Sequence, residues 1–167
     1  SGLTTPIRDV AFLEFDFKPA FNSFSFDFLF ASNEYGQYQC ISNDIFAFVL
    51  TDLVTGISTN LAVIPGTSNP VAVKNIRNSA FNSNCSSTNP GYFGAYNATN
   101  PSASSINMRG QTTVLTASSN VVPNNPYKIR IVIADYGDTD YDSAIFIGAG
   151  SFETTFDLGP NRQICSG

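Results

Sequence analysis

The sequence of 167 residues contains no histidine. Without histidine the chain cannot build a Ser-His-Asp triad, and it also lacks a ligand that most zinc hydrolase sites require. It also lacks the GxSxG, P-loop and GxGxxG motifs that accompany nucleophilic or nucleotide chemistry. We therefore expect no enzyme, although a glycosidase-type pair of Glu34 with an aspartate stays formally open.

Basic clusters and long apolar runs are absent too. The eight lysines and arginines are scattered singly against 13 acidic residues, which gives a net charge of −5. Nucleic acids and anionic membranes are recognised through clustered basic residues, so we expect neither as a partner. No apolar run approaches the roughly 18 residues of a membrane span, and we expect no direct membrane insertion.

Charged residues make up only 13% of the chain, whereas hydrophobic residues make up 43%. The hydrophobic share indicates a globular domain, and the length suits a single one. Solubility must then rest on Asn, Ser and Thr, a surface common in secreted and surface-exposed modules. The chain carries no signal peptide, and we interpret it as a mature or excised piece of a longer polypeptide.

Three cysteines are present, Cys40, Cys85 and Cys165, and none belongs to a CxxC pair. With no histidine to assist, a zinc site is a poor interpretation. Cys40 and Cys85 are a candidate disulfide, with Cys165 belonging elsewhere. Three unpaired thiols are the alternative, because the sequence does not test the geometry that a disulfide needs.

Apolar and polar residues alternate along much of the chain, as in strands with one buried face. Residues 11–18 place Ala11, Leu13, Phe15 and Phe17 on one such face. No window shows a helical stripe, so the pattern predicts an all-β fold: a two-sheet antiparallel β-sandwich, jelly-roll or lectin-like, with long loops. The predicted strands are residues 11–18, 24–30, 45–51, 61–64, 71–76, 112–117, 127–134, 144–147 and 151–156.

Two segments differ from this pattern. Residues 78–109 are rich in Asn, Ser, Pro and Gly with scattered aromatics, and a loop of this length is usually functional or disordered. Residues 156–167 contain a Gly-Pro turn followed by Cys165. We therefore divide the chain into a sandwich domain, residues 1–155, and a linker with the start of a following Ig-like module, residues 156–167.

The strongest chemical signal is an acidic segment in which four aspartates lie within eight residues: Asp135, Asp138, Asp140 and Asp142. Such a cluster repels itself unless a cation or solvent intervenes. Calcium accepts about six to eight oxygen ligands, and alternating aspartates around Gly137 can supply several of them. The spacing is not that of an EF-hand, and a solvated acidic turn is the alternative.

Glu34 and Asp44 each border a buried hydrophobic run, where a carboxylate needs a partner. If the acidic segment lies at the same end of the sandwich, one structural Ca²⁺ could bind them all. Ordinary capping or turn carboxylates are the alternative. The candidate metal ligands are thus Glu34, Asp44, Asp135, Asp138, Asp140 and Asp142.

Tyrosines accompany these acidic segments in positions predicted as loops: Tyr35, Tyr38, Tyr136 and Tyr141. A loop tyrosine can stack on a sugar or contact another protein. Local packing beneath a long loop is the alternative for each of them.

Several strings in the chain resemble choice-of-anchor L domains, and they run in the family's order over roughly residues 10–152. Each string alone is weak, but together they are specific. They include Leu13-Glu14-Phe15-Asp16-Phe17, Phe30-Ala31-Ser32-Asn33-Glu34-Tyr35, Asn43-Asp44-Ile45-Phe46-Ala47-Phe48 and Tyr141-Asp142-Ser143-Ala144-Ile145-Phe146.

This resemblance implies a secreted or cell-surface bacterial protein, commonly from Bacteroidetes and often exported by type IX secretion. It implies a non-catalytic, adhesin-like protein with shared acidic positions at Glu34, Asp44, Asp138 and Asp142. The expected function is a calcium-binding module, adhesive or structural, with a lectin-like carbohydrate-binding domain as the alternative. Expected partners are neighbouring domains of the same polypeptide, surface glycans or other cell-surface proteins.

Two departures from the family pattern stand out. Relatives usually have a further stretch before the first strand, which this chain lacks. Where relatives often have a cysteine before Tyr127, this chain has Asn125-Pro126, so a second disulfide is not expected.

Overall fold

The computed structural model describes residues 7–41, 44–136 and 141–155. Within these ranges the secondary structure consists of strands and three single-turn 3-10 helices, Pro90–Tyr92, Asn97–Thr99 and Pro101–Ala103. The strands are β1 Ile7–Phe17, β2 Ser23–Ser32, β3 Ile45–Asp52, β4 Ser58–Asn60, β5 Phe93–Tyr96, β6 Gly110–Thr112, β7 Leu115–Asn120, β8 Tyr127–Tyr136, β9 Ser143–Ile147 and β10 Glu153–Thr155. No helix in the described ranges has the length and apolar character needed to cross a membrane.

The strands form two antiparallel sheets, which confirms the predicted β-sandwich. One sheet has the order β1-β8-β3-β4. In the other, β2 is central, with β9 and β10 end to end along one edge and β7 and β6 along the opposite edge. Strand β5 pairs with the outer edge of β6.

Phenylalanines of β2 and β3 hold the two sheets together. The Phe28 ring centroid lies 4.7 Å from that of Phe48, and the Phe26 centroid lies 4.9 Å from the same ring. Phe30 stacks on Phe46 at 4.9 Å. Because side chains alternate along a strand, every second residue of β2 from Phe24 to Phe30 reaches this buried layer.

Strand β1 alternates apolar and polar residues as predicted, but the apolar face is more exposed to solvent than predicted. Leu13 is 58% exposed and Phe15 is 36% exposed, although both lie on the face predicted to be buried. The reason is position: β1 is the edge strand of its sheet, and the opposite sheet ends at β9 and β10. The result is an open apolar groove of about 280 Å³ lined by Ala11, Phe12, Leu13, Ile131, Ile133, Ile145 and Ile147.

Two predicted strands are wrong. Residues 61–64 and 71–76 are largely buried in the core but form no strand, and the first segment makes only an isolated bridge from Val63 to Pro70. Their backbone is satisfied locally, since the Ala62 N–H donates to Asn60 Oδ1 and the Val71 N–H donates to the Ala62 carbonyl. The prediction missed the short strands β4 and β5, and it merged β6 with β7.

The long segment 78–109 packs onto the sandwich through its aromatic residues. The Phe81 ring lies 5.4 Å from Phe93, and Phe93 lies 5.0 Å from Tyr35. The structure joins Cys40 and Cys85 in a disulfide, the pairing that the sequence left as one of two possibilities. Residues 156–167, with Cys165 and the predicted Ig-like start, lie outside the described residues.

The packing of Phe48 and the openness of β1 give a testable contrast. Phe48→Ala removes a ring that is 0% exposed and should lower the free energy of unfolding by about 3–5 kcal/mol. Phe12→Ala makes the same chemical change at a residue that is 66% exposed, and should cost no more than about 1 kcal/mol. Urea denaturation measures both, and equal losses would contradict the exposed position of Phe12 on β1.

Candidate functional site

The turn after β2 is closed by a buried carboxylate. Both oxygens of Glu34 accept the Asp44 N–H, at 3.1 and 3.0 Å, and Glu34 is 0% exposed. The Glu34 N–H in turn donates to the Ser32 hydroxyl at 2.9 Å. Because Glu34 lies two residues after β2 and Asp44 one residue before β3, this contact fixes the start of β3 against the end of β2.

A second buried carboxylate, Asp44, connects the same turn to β9. Asp44 is 1% exposed, and its Oδ2 accepts the Ser143 hydroxyl at 2.6 Å. Beside it, the Asn33 N–H donates to the Asp142 carbonyl at 3.0 Å. The end of β2 and the starts of β3 and β9 therefore meet at one end of the sandwich, which we call the acidic pole.

The acidic pole brings together Glu34, Asp44 and the exposed residue Asp142. Asp135 is half-buried near the end of β8, one residue beyond the pair formed by Ala134 and Ile45. Asp138 and Asp140 lie outside the described residues. Within the described ranges no group of three Asp, Glu or Cys side chains is arranged to hold a metal ion, so the calcium site stays a prediction.

The tyrosines predicted as ligand contacts occupy different environments. Tyr35 is 0% exposed and packs in the core against Phe93, so it offers no surface to a ligand. Burial, with a smaller contribution from the Glu34 charge, raises the pKa of Tyr35 far above its usual value. Tyr38 and Tyr141 instead stack on each other at the pole, with ring centroids 3.9 Å apart. Tyr136 ends β8, and its side chain lies outside the described residues.

Next to the stacked pair lies a cleft that the sequence did not predict. It has a volume of about 230 Å³ and is lined by Asn33, Asn97, Ala98, Pro101, Ile106, Asn107, Met108 and Arg109. The Arg109 guanidinium carbon lies 5.6 Å from the Tyr38 ring centroid, which joins the cleft to the tyrosines. The Asn-rich composition of residues 78–109 indicated that this segment could be functional, but it did not indicate which of its residues line a cleft.

Polar contacts fasten the turn at residues 33–41 to the long segment. The Asn82 side-chain amide donates to the carbonyls of Gly36 and Gln37, at 2.9 and 3.0 Å. Gly36 has a φ of +80° and lies so close to the Tyr96 ring that an added Cβ would clash, so glycine is required here. The Cys40–Cys85 disulfide adds a covalent link between the same turn and the long segment.

Comparison with known proteins gives one match. The model of the choice-of-anchor L domain family matches residues 1–153. No curated protein and no solved structure matches the chain.

The Glu34 contact can be tested by Glu34→Gln. The substitution replaces one acceptor oxygen by an NH₂ group beside the Asp44 N–H, and should lower the free energy of unfolding by about 1–3 kcal/mol. Glu153→Gln, at an exposed position on β10, is the matched control and should leave the melting temperature unchanged. Equal melting temperatures for the two variants would show that Glu34 does not hold the turn.

The disulfide makes a separate prediction. It closes a sequence separation of 45 residues, so Cys40→Ser combined with Cys85→Ser should cost about 2–4 kcal/mol of stability. Dithiothreitol should lower the stability of the natural chain to that of the double variant and leave the variant unchanged. A natural chain that is insensitive to the reductant under denaturing conditions would contradict this expectation.

Proposed function

The chain belongs to the choice-of-anchor L domain family, a non-enzymatic module of the cell surface, and on this premise we propose that it is a calcium-binding structural or adhesive module of a large secreted bacterial protein. Neighbouring domains of the same polypeptide and other surface molecules are its proposed partners. Bacteroidetes origin, type IX secretion and an Ig-like segment after residue 155 stay predictions.

The observation that carries the calcium proposal is the convergence of two distant acidic segments. Residues 34 and 44 approach residues 142 and 143 through the Asp44–Ser143 contact of 2.6 Å and the Asn33–Asp142 contact of 3.0 Å. A carboxylate oxygen has two lone pairs, so a hydrogen bond leaves it able to bind a cation. Oxygen-rich loops meeting at one point are the environment in which calcium binds.

In this proposal the residues have different tasks. Asp44 and Asp142 would supply ligand oxygens, with Asp135 beside them and with Asp138 and Asp140, which lie outside the described residues. Glu34 would bind calcium while holding the Asp44 backbone. The ion would neutralise converging carboxylates and rigidify the pole, a structural task rather than a catalytic one.

A second candidate function, carbohydrate binding, is favoured by one observation. The stacked rings of Tyr38 and Tyr141 adjoin a cleft that combines amide side chains and Arg109 with apolar side chains, and Tyr141 is 37% exposed. Flat rings beside amide side chains match a sugar, which has apolar ring faces and hydroxyl edges. A hydrolase would instead need two facing carboxylates, whereas asparagines and Arg109 supply the polar lining of this cleft.

Calcium binding predicts a shift in thermal stability. At a calcium concentration about 100 times Kd the native state gains about 2.7 kcal/mol, which is roughly 5–10 °C in Tm for a domain of this size. The measurement is a melting curve in calcium and in EDTA. Asp142→Asn keeps the shape of the side chain but removes its charge, and should reduce the shift.

Asp16→Asn is the matched control, because Asp16 is an exposed aspartate on β1 on the outer face of the sandwich. It should retain the full calcium shift. Identical melting curves in calcium and EDTA, with Asp142→Asn equally silent, would refute the calcium site and leave the family assignment untouched.

A further inference from the structure

Arg109 is a cation placed at the boundary between the cleft and the tyrosine pair. Its backbone N–H donates to Asn33 Oδ1 at 3.1 Å, and its side chain is half-buried. Within the described parts of the chain, ion pairs form between Glu14 or Asp16 and the cations Lys128 and Arg130, and no carboxylate lies within 4.0 Å of Arg109. A partly desolvated guanidinium of this kind is suited to a carboxylate supplied by a ligand.

Asparagine side chains extend this polar surface across the cleft. Both N–H groups of the Asn97 amide are used, one on the Met108 carbonyl at 3.1 Å and one on Gln111 Oε1 at 3.0 Å. These bonds fix the amide plane and do not use its oxygen. Asn107 is exposed at the rim of the same cleft. The cleft therefore presents amide groups and one cation beside the apolar residues Ala98, Pro101, Ile106 and Met108.

The Tyr38–Tyr141 pair supplies an aromatic surface beside Arg109, whose guanidinium lies over the Tyr38 ring. Tyr141 has a φ of +73°, a left-handed conformation that costs a non-glycine residue of order 1–3 kcal/mol. Such strain persists where the surroundings impose it, and it is concentrated at ligand-binding segments. Here it accompanies a ring that is partly exposed and stacked on a second ring.

We propose that this cleft binds an acidic saccharide, with the carboxylate of one sugar on Arg109, its hydroxyls on Asn97 and Asn107, and an adjoining ring against Tyr141. The proposal rests on the carbohydrate-binding candidate and not on the calcium proposal. The cleft offers one cation, which suits a single carboxylate and disfavours a polyphosphate chain, since that needs several phosphate contacts. A neutral glycan would offer no carboxylate to the Arg109 guanidinium, which in the described part of the chain contacts the Tyr38 ring.

The test uses the whole chain on an array of immobilised uronate-containing and sialylated oligosaccharides, each printed beside its carboxyl methyl ester. The ester keeps the sugar and removes only the negative charge. We expect retention on acidic glycans and at least tenfold weaker binding to the ester, measured by calorimetry on the best glycan. Arg109→Gln should lower the affinity for the acid about tenfold or more and leave that for the ester unchanged.

Arg130→Gln is the matched control, since it removes the same charge from the outer face of the other sheet and should retain full affinity. Tyr141→Ala should weaken acid and ester alike. Equal binding of acid and ester would overturn the acidic specificity but leave carbohydrate binding standing. No retention on any glycan would overturn both, while the calcium-dependent melting shift would be unaffected.

Discussion

The packing of the β2 phenylalanines against β3 is the constraint on which the rest of the structure depends. β2 pairs with four other strands, so fixing it by the contacts of Phe26 and Phe28 with Phe48 fixes its whole sheet relative to the other. The segment that connects β2 to β3 is closed by the buried Glu34 carboxylate, whose two oxygens accept the Asp44 N–H.

The sequence predicts the sandwich well because strand alternation is a local signal. β2 and β8 carry it and lie inside their sheets, whereas β3 is apolar on both faces and is also central. Apolar composition, in contrast, predicts burial without predicting sheet pairing. Residues 61–64 and 71–76 are buried but satisfy their backbone through Asn60 and local bonds. β1 shows the opposite error, since its alternating face is partly uncovered where the facing sheet ends.

The candidate site was only partly predictable, for a similar reason. A carboxylate beside a buried run must find partners, and this marked Glu34 and Asp44 without naming those partners. Loop position suggested that Tyr35 was exposed, but Tyr35 packs in the core against Phe93. Arg109 carried no signal, because an isolated cation in a polar segment becomes notable only when folding places it over Tyr38.

Asn33 connects the two candidate functions physically. Its backbone N–H donates to the Asp142 carbonyl in the acidic pole, and its side-chain oxygen accepts the Arg109 N–H in the cleft. Any interaction that fixes residues 142 and 143 against the end of β2 therefore also fixes the backbone that carries Arg109. The backbone of Asp142 and the backbone of Arg109 are thus held by the same residue, one through the Asn33 N–H and the other through its side-chain oxygen.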